Sequence, residues 1–166
     1  MTLVAGVVTL VTCSSVQTVP ARPAIWTDPA TGLKWQAQGS GRMTWQQGKD
    51  YCANLDLGGA GWRLPNISEL RSLIRGCPQT QPGGTCNVSV RGCLELICRT
   101  DECGGCQHMG GPAETCYWPG TMQGECDHYW ADSLVGDNDD AWSVYFHSGH
   151  VGNGFRNVRS HIRCVR

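Results

Sequence analysis

Eleven cysteines stand in this chain of 166 residues, and eight of them fall within residues 77–126. A length of this order holds one ordinary domain. A cytosolic protein would have to keep all of those thiols reduced, so the count points to export and disulfide formation. Residues 99–125 contain no Leu, Ile, Val or Phe. Such a stretch cannot bury enough apolar surface to offset its ordering entropy. Covalent staples must hold it, and residues 77–126 read as a disulfide-knotted insertion without a core of its own. The net charge of −1, with 16% of residues charged, excludes a polybasic nucleic-acid binder and an acidic disordered tail.

Residues 3–11 are an apolar run, shorter than the roughly 20 residues that span a bilayer. They read as the hydrophobic region of an export signal, without the usual basic residues before it. Leu10-Val11-Thr12-Cys13 looks like a bacterial lipobox, with Thr12 where a smaller residue normally stands. On that preferred reading Cys13 is lipidated and becomes the first residue of the mature protein. The alternative is cleavage by ordinary signal peptidase near Val19-Pro20-Ala21. Either way ten cysteines remain, an even number. Residues 1–23 are then signal and tether, residues 24–166 a single domain, and the membrane is reached only through a lipid anchor.

Residues 24–36 read as a β-hairpin, with Pro29 presetting a turn and Gly32 accepting positive φ. Thr44-Trp45-Gln46-Gln47 is a capping box, and the helix it opens aligns Trp45, Gly48, Cys52 and Leu55 on one face. Asn66 and Glu69 give a second capping signal, for a helix burying Ile67, Leu70 and Ile74 and ending near Arg75. Tyr129 to Asp132 begins a strand. Trp142, Val144 and Phe146 alternate with Ser143, Tyr145 and His147, which is strand periodicity. A return segment follows through Val151 and Phe155, then a last strand with Ile162 and Cys164 opposite Arg163. The order predicts an α+β fold, two helices on a small antiparallel sheet with a disulfide-rich insertion.

Several residues together resemble a known family. They are Thr31-Gly32-Leu33-x-Trp35, Cys52, Trp62-Arg63-Leu64-Pro65-Asn66-x-x-Glu69-Leu70, Tyr129-Trp130, Ala141-Trp142-x-Val144-x-Phe146-x-x-Gly149, and Arg163-Cys164-Val165-Arg166. This set is similar to the Lcl C-terminal domain family, a bacterial domain of unknown function named for a collagen-like adhesin. The likeness covers about residues 24–76 and 127–166 and leaves the insertion without a counterpart. It implies a C-type-lectin-like fold, shared with formylglycine-generating enzymes. It also implies that Cys52, in the first helix, pairs with Cys164, in the last strand. Cys77, Cys86, Cys93, Cys98, Cys103, Cys106, Cys116 and Cys126 would then pair among themselves, in one of roughly a hundred ways.

Cys103-Gly104-Gly105-Cys106 has the spacing of a zinc knuckle or redox pair, but in an exported chain disulfides are the better reading. Asp137, Asn138, Asp139 and Asp140 offer hard oxygens suited to Ca²⁺, against the plainer reading of a solvated turn. No other cofactor is expected. Arg156, Arg159, Arg163, Arg166, His147, His150 and His161 crowd the C-terminal end, where a shared face would attract anionic groups. Tyr117 and Trp118 in the insertion, with Arg156 and Arg159, are the candidate ligand contacts, Trp118 as an exposed ring. No nucleophile elbow, phosphate loop or His-Glu-x-x-His occurs, and no enzymatic activity is expected. The expectation is an exported binding or adhesion module, at the cell surface, in the periplasm or secreted. Its partner is an extracellular glycan, a polyanionic polysaccharide or a surface protein. Envelope assembly, or an enzyme of the formylglycine type, is the alternative.

Overall fold

The computed structural model describes residues 23–166. Cys13, the apolar run and nearly all of the tether lie outside the described residues. Strands β1 (Ile25–Thr27) and β2 (Lys34–Gln36) form the expected hairpin. Its turn is organised by the buried Asp28 carboxylate, which accepts from Ala30 N and Thr31 Oγ1, the side-chain turn that Asp makes readily.

Helix α1 (Trp45–Ala53) opens on the Thr44–Gln47 capping box and buries Trp45, Gly48 and Cys52. A Cβ at Gly48 would collide with Ile162 Cδ1, so glycine there lets the helix seat on the sheet. Helix α2 (Ile67–Arg71) opens on the Asn66–Glu69 box. It is shorter than its apolar stripe predicts. Leu73 and Ile74 bond to carbonyls three residues back, and Arg75 N is drawn away to Tyr117 O. Leu70, Leu73 and Ile74 are nonetheless fully buried.

The main sheet has five strands, β3 (Ser40–Met43), β4 (His128–Leu134), β5 (Asp140–Tyr145), β6 (His150–Phe155) and β7 (Ser160–Ile162), in the order β3-β7-β4-β5-β6. It is mixed, not wholly antiparallel. The C-terminal strand inserts between β3 and β4 and runs parallel to β4. Strand β3 carries Ser40, Gly41 and Arg42 with no apolar alternation, which hid it in the sequence. Alternation places Trp130, Ala141 and Ile162 on the face under α1, with Trp45, Trp62 and Leu64. Tyr129, Trp142, Val144 and Val151 lie on the other face, with α2.

Five disulfides join Cys52 to Cys164, Cys77 to Cys106, Cys86 to Cys103, Cys93 to Cys98 and Cys116 to Cys126. Such a set belongs to an oxidising, non-cytoplasmic compartment. Among the described residues no helix is long and apolar enough to cross a membrane. The insertion consists of loops, three short 3₁₀ turns and two isolated bridges of its own, with a third pairing Gln123 to Gln38. The insertion has no separate core of its own, but it does not lie apart from the sheet. Val88, Tyr117, Trp118, Met122 and five of its cysteines pack into the same cluster as Leu70, Trp142 and Phe146. Its few apolar side chains complete the core of the sheet.

Two buried arginines finish that union. Arg71 donates to the carbonyls of Thr80, Gln81, Cys86 and Val88. Arg163, with no exposed surface, donates to those of Gln36, Ala37 and Gln123. A carbonyl oxygen has two lone pairs, so those of Gln81, Ala37 and Gln123 accept from the guanidinium as well as from a backbone N–H, and a guanidinium supplies five donors in one plane. Burial depresses the pKa of both groups.

Candidate functional site

The insertion builds a cleft of about 580 Å³, lined by Met109, Pro112, Thr115, Trp118, Gly120 and Gln123 among others. One wall is a tight hairpin in which Gly111 bridges Thr115 and Ala113 bridges Cys116. Glu114 and Thr115 take positive φ of 49° and 76°. A β-branched residue in that region is strained, at a cost of about 1–3 kcal/mol, and persists only where its surroundings dictate it. The Cys116–Cys126 bridge closes the loop behind this turn. Trp118 and Met122 form the floor, and the Arg163 guanidinium lies 5.1 Å from the Trp118 ring centre.

The expected exposed contacts, Tyr117 and Trp118, are 2% and 4% exposed. In a segment so poor in apolar residues, both rings are drawn into the shared core. Tyr117 spends its hydroxyl on Gln107 O. Trp118 still reaches the cleft, as its floor. Arg156 does not join them, because it pairs with Asp139 and lies over Trp45. Arg159 is exposed in the turn between β6 and β7, outside the cleft lining. The C-terminal arginines therefore share no face. Arg163 is buried, and Arg166 stacks on Trp62 while donating to Gly58 O and Ala60 O.

The acidic turn also differs from the calcium-loop expectation. Asp139 is held by Arg156, and Asp140 Oδ2 accepts from Asn153 Nδ2. Asp137 and Asn138 point to solvent on a turn closed by Val135 N to Asp140 O. These oxygens do not converge. Cys103 and Cys106 enter separate disulfides, so their spacing holds neither zinc nor a redox pair. A Cβ at Gly105 would collide with Ser148 O and His150 N. Gly105 thus lets this loop dock on the turn between β5 and β6.

Beside the cleft, the histidines gather at one end of the sheet. Register sets His128, Tyr145 and His150 in a row across β4, β5 and β6. Ring centres are 3.8 Å apart for His128 and Tyr145, and 4.6 Å for Tyr145 and His150. His147 lies 5.4 Å from His128 and 4.8 Å from His108 of the insertion. Asp127 closes the group. Its Oδ1 is 3.4 Å from His128 Nε2, while Arg42 holds Oδ2 and also donates from Nε to His161 Nε2, which lies 3.6 Å from that oxygen. Burial lowers the pKa of His128, and burial together with His108 lowers that of His147. For Asp127 burial acts upward, but the Arg42 hydrogen bond, the His128 N–H and neighbouring positive charge outweigh it and hold the carboxyl low. The cleft and this group adjoin through Met109 and Cys126, which line the former and precede or follow His108 and Asp127.

The sequence places His147, His150 and His161 among basic residues that would attract anions and His108 near the Cys103–Cys106 pair, and gives no local signal for Asp127 or His128. The usable signal was strand pairing. A hairpin between the Tyr129 and Trp142 strands brings His128 level with Tyr145 and near His147. A family model described as the Lcl C-terminal domain matches residues 24–166. No curated protein matches the chain.

Proposed function

Because the chain belongs to the Lcl C-terminal domain family, we propose that it works outside the cytoplasm as a C-type-lectin-like recognition module, without catalysis. On this reading it is anchored by lipid at Cys13 and takes an extracellular glycan in the insertion cleft. The cleft is the observation that carries the proposal. Its volume of about 580 Å³ lies within the roughly 300–1,000 Å³ range of small-ligand sites. Its lining joins apolar surface from Met109, Pro112, Trp118 and Met122 to hydrogen-bonding groups of Thr115, Gln123 and loop backbone. A sugar presents the same two characters, C–H faces and hydroxyls. Variable loops on a rigid support are the usual seat of recognition, and here disulfides supply the rigidity. The tie between Cys52 in α1 and Cys164 after β7 is the one a C-type-lectin-like fold calls for.

An uncharged glycan fits better than a polyanion. Arg71 and Arg163 are buried, and Arg42, Arg63 and Arg156 face Asp127, Glu69 and Asp139. Gly120 lines the cleft, with open space where a Cβ would stand. Gly120→Trp therefore fills the cleft without disturbing the core. On an array of neutral and sulfated glycans, the mature protein should bind neutral members with little salt dependence. Gly120→Trp should weaken that binding at least about tenfold, the loss of roughly 1.4 kcal/mol. Undiminished binding by this variant places recognition elsewhere. No glycan binding, with capture of a single envelope protein instead, favours the assembly role.

A further inference from the structure

We propose that Asp127, His128 and His147 form a binding site for a divalent first-row transition ion of the zinc type, which joins the insertion to the end of the sheet. Among the described residues this is the one group of three His, Cys, Asp or Glu side chains whose donor atoms all lie within 4.8 Å of one another. Two imidazoles and a carboxylate are the donor set such ions favour, and Ca²⁺ and Mg²⁺, which take oxygens, do not. The distances suit the ion. Bonds of about 2.0–2.1 Å in a tetrahedron set neighbouring donors about 3.3–3.4 Å apart, and Asp127 Oδ1 stands 3.4 Å from His128 Nε2. His147 needs to approach by at most about 1.4 Å to complete the face, a side-chain adjustment within a site of this kind.

Two further observations point the same way. Nδ1 of His147 is buried with no hydrogen-bond partner, and an orphaned buried nitrogen calls for a missing ligand. The outer oxygen of Asp127 is already held by Arg42, which orients the carboxylate as the supporting partners of metal ligands do. The backbone of Asp127 follows directly from the Cys116–Cys126 bridge. His108 stands beside His147 on the exposed insertion loop but outside the donor group, which leaves the fourth position to water.

The site is independent of what the cleft binds. Its test uses the untagged, oxidised mature protein, stripped with a chelator and titrated calorimetrically with Zn²⁺. One ion should bind per chain and raise the thermal midpoint, since a ligand held by the folded state alone stabilises it. Co²⁺ in its place should show the intense visible bands of a four-coordinate ion. His128→Gln, His147→Gln and Asp127→Asn should each weaken binding by about 100-fold, as read on whichever of them folds by circular dichroism. His150→Gln, in the same ring row but outside the donor group, should leave it within about twofold. No stoichiometric binding, or an equal loss in His150→Gln, overturns the assignment.

Discussion

Replacing Cys52 and Cys164 together by alanine should remove about 4–5 kcal/mol of stability, by the loop-entropy relation for cross-links. The two residues are 112 apart, so the bridge closes a loop of 113 residues counting both ends. It ties α1 to the segment after β7 and so encloses most of the described chain. The Cys93–Cys98 bridge spans a separation of 5, and the same relation gives it only about 2 kcal/mol. Domains of this size have about 5–15 kcal/mol in total. The double variant is thus expected to be near unfolding at physiological temperature, with its urea midpoint greatly lowered. Both sulfurs are fully buried beneath α1, so the cavity left by alanine adds to the loss. A change below about 1 kcal/mol would show that hydrophobic packing alone holds the two ends together.

Arg163→Leu should cost about 3–5 kcal/mol, from the loss of three buried hydrogen bonds to a charged donor. The side chain has no exposed surface, and its two terminal nitrogens serve Gln36 O, Ala37 O and Gln123 O. Removing it takes a charged donor from all three carbonyls; Ala37 O and Gln123 O keep the Gln123 and Gly39 N–H groups, and Gln36 O loses its side-chain donor, at about 1–3 kcal/mol for a carbonyl left unpaired in the interior. The guanidinium also lies 5.1 Å from the Trp118 ring and 5.2 Å from that of Tyr129. It therefore positions the floor of the cleft as well as the loops around it. Lysine keeps the charge but not the planar fork, so Arg163→Lys should recover less than half of the loss in a denaturant titration. Full recovery by lysine would mean that charge, not the directed hydrogen bonds, is what the site requires.

Local signals were legible where a short-range rule governs structure. Thr44 and Asn66 both cap their helices as their sequence neighbours predict, because a capping box is closed within four residues. The alternation from Trp142 to Phe146 assigned both faces of β5 correctly. The parallel pairing of β7 with β4 was not legible, since strand order depends on where the chain returns and not on any local pattern. Arg163 reads as one of the C-terminal basic residues that would face an anion, and Arg71 carries no signal of its own, because arginine is seldom buried. Their burial follows from loop carbonyls distant in sequence. Tyr117 and Trp118 misled for a related reason. A segment without aliphatic residues was taken to lie apart, whereas its rings complete a core supplied by α2 and the sheet. The Asp127, His128 and His147 group was hidden because its members meet only through the register of β4 and β5.

The central claim is that oxidised cysteines, together with the few side chains the insertion lends to the sheet's core, hold it as a rigid platform. Intact mass of the natively exported protein, before and after reduction and followed by mapping of linked peptides, tests it most directly. Five disulfides predict a gain of ten hydrogens on reduction, with Cys77 linked to Cys106 and Cys86 to Cys103. Free thiols at Cys103 and Cys106 in the exported protein, and no mass gain on reduction, would contradict it and return that pair to metal or redox chemistry.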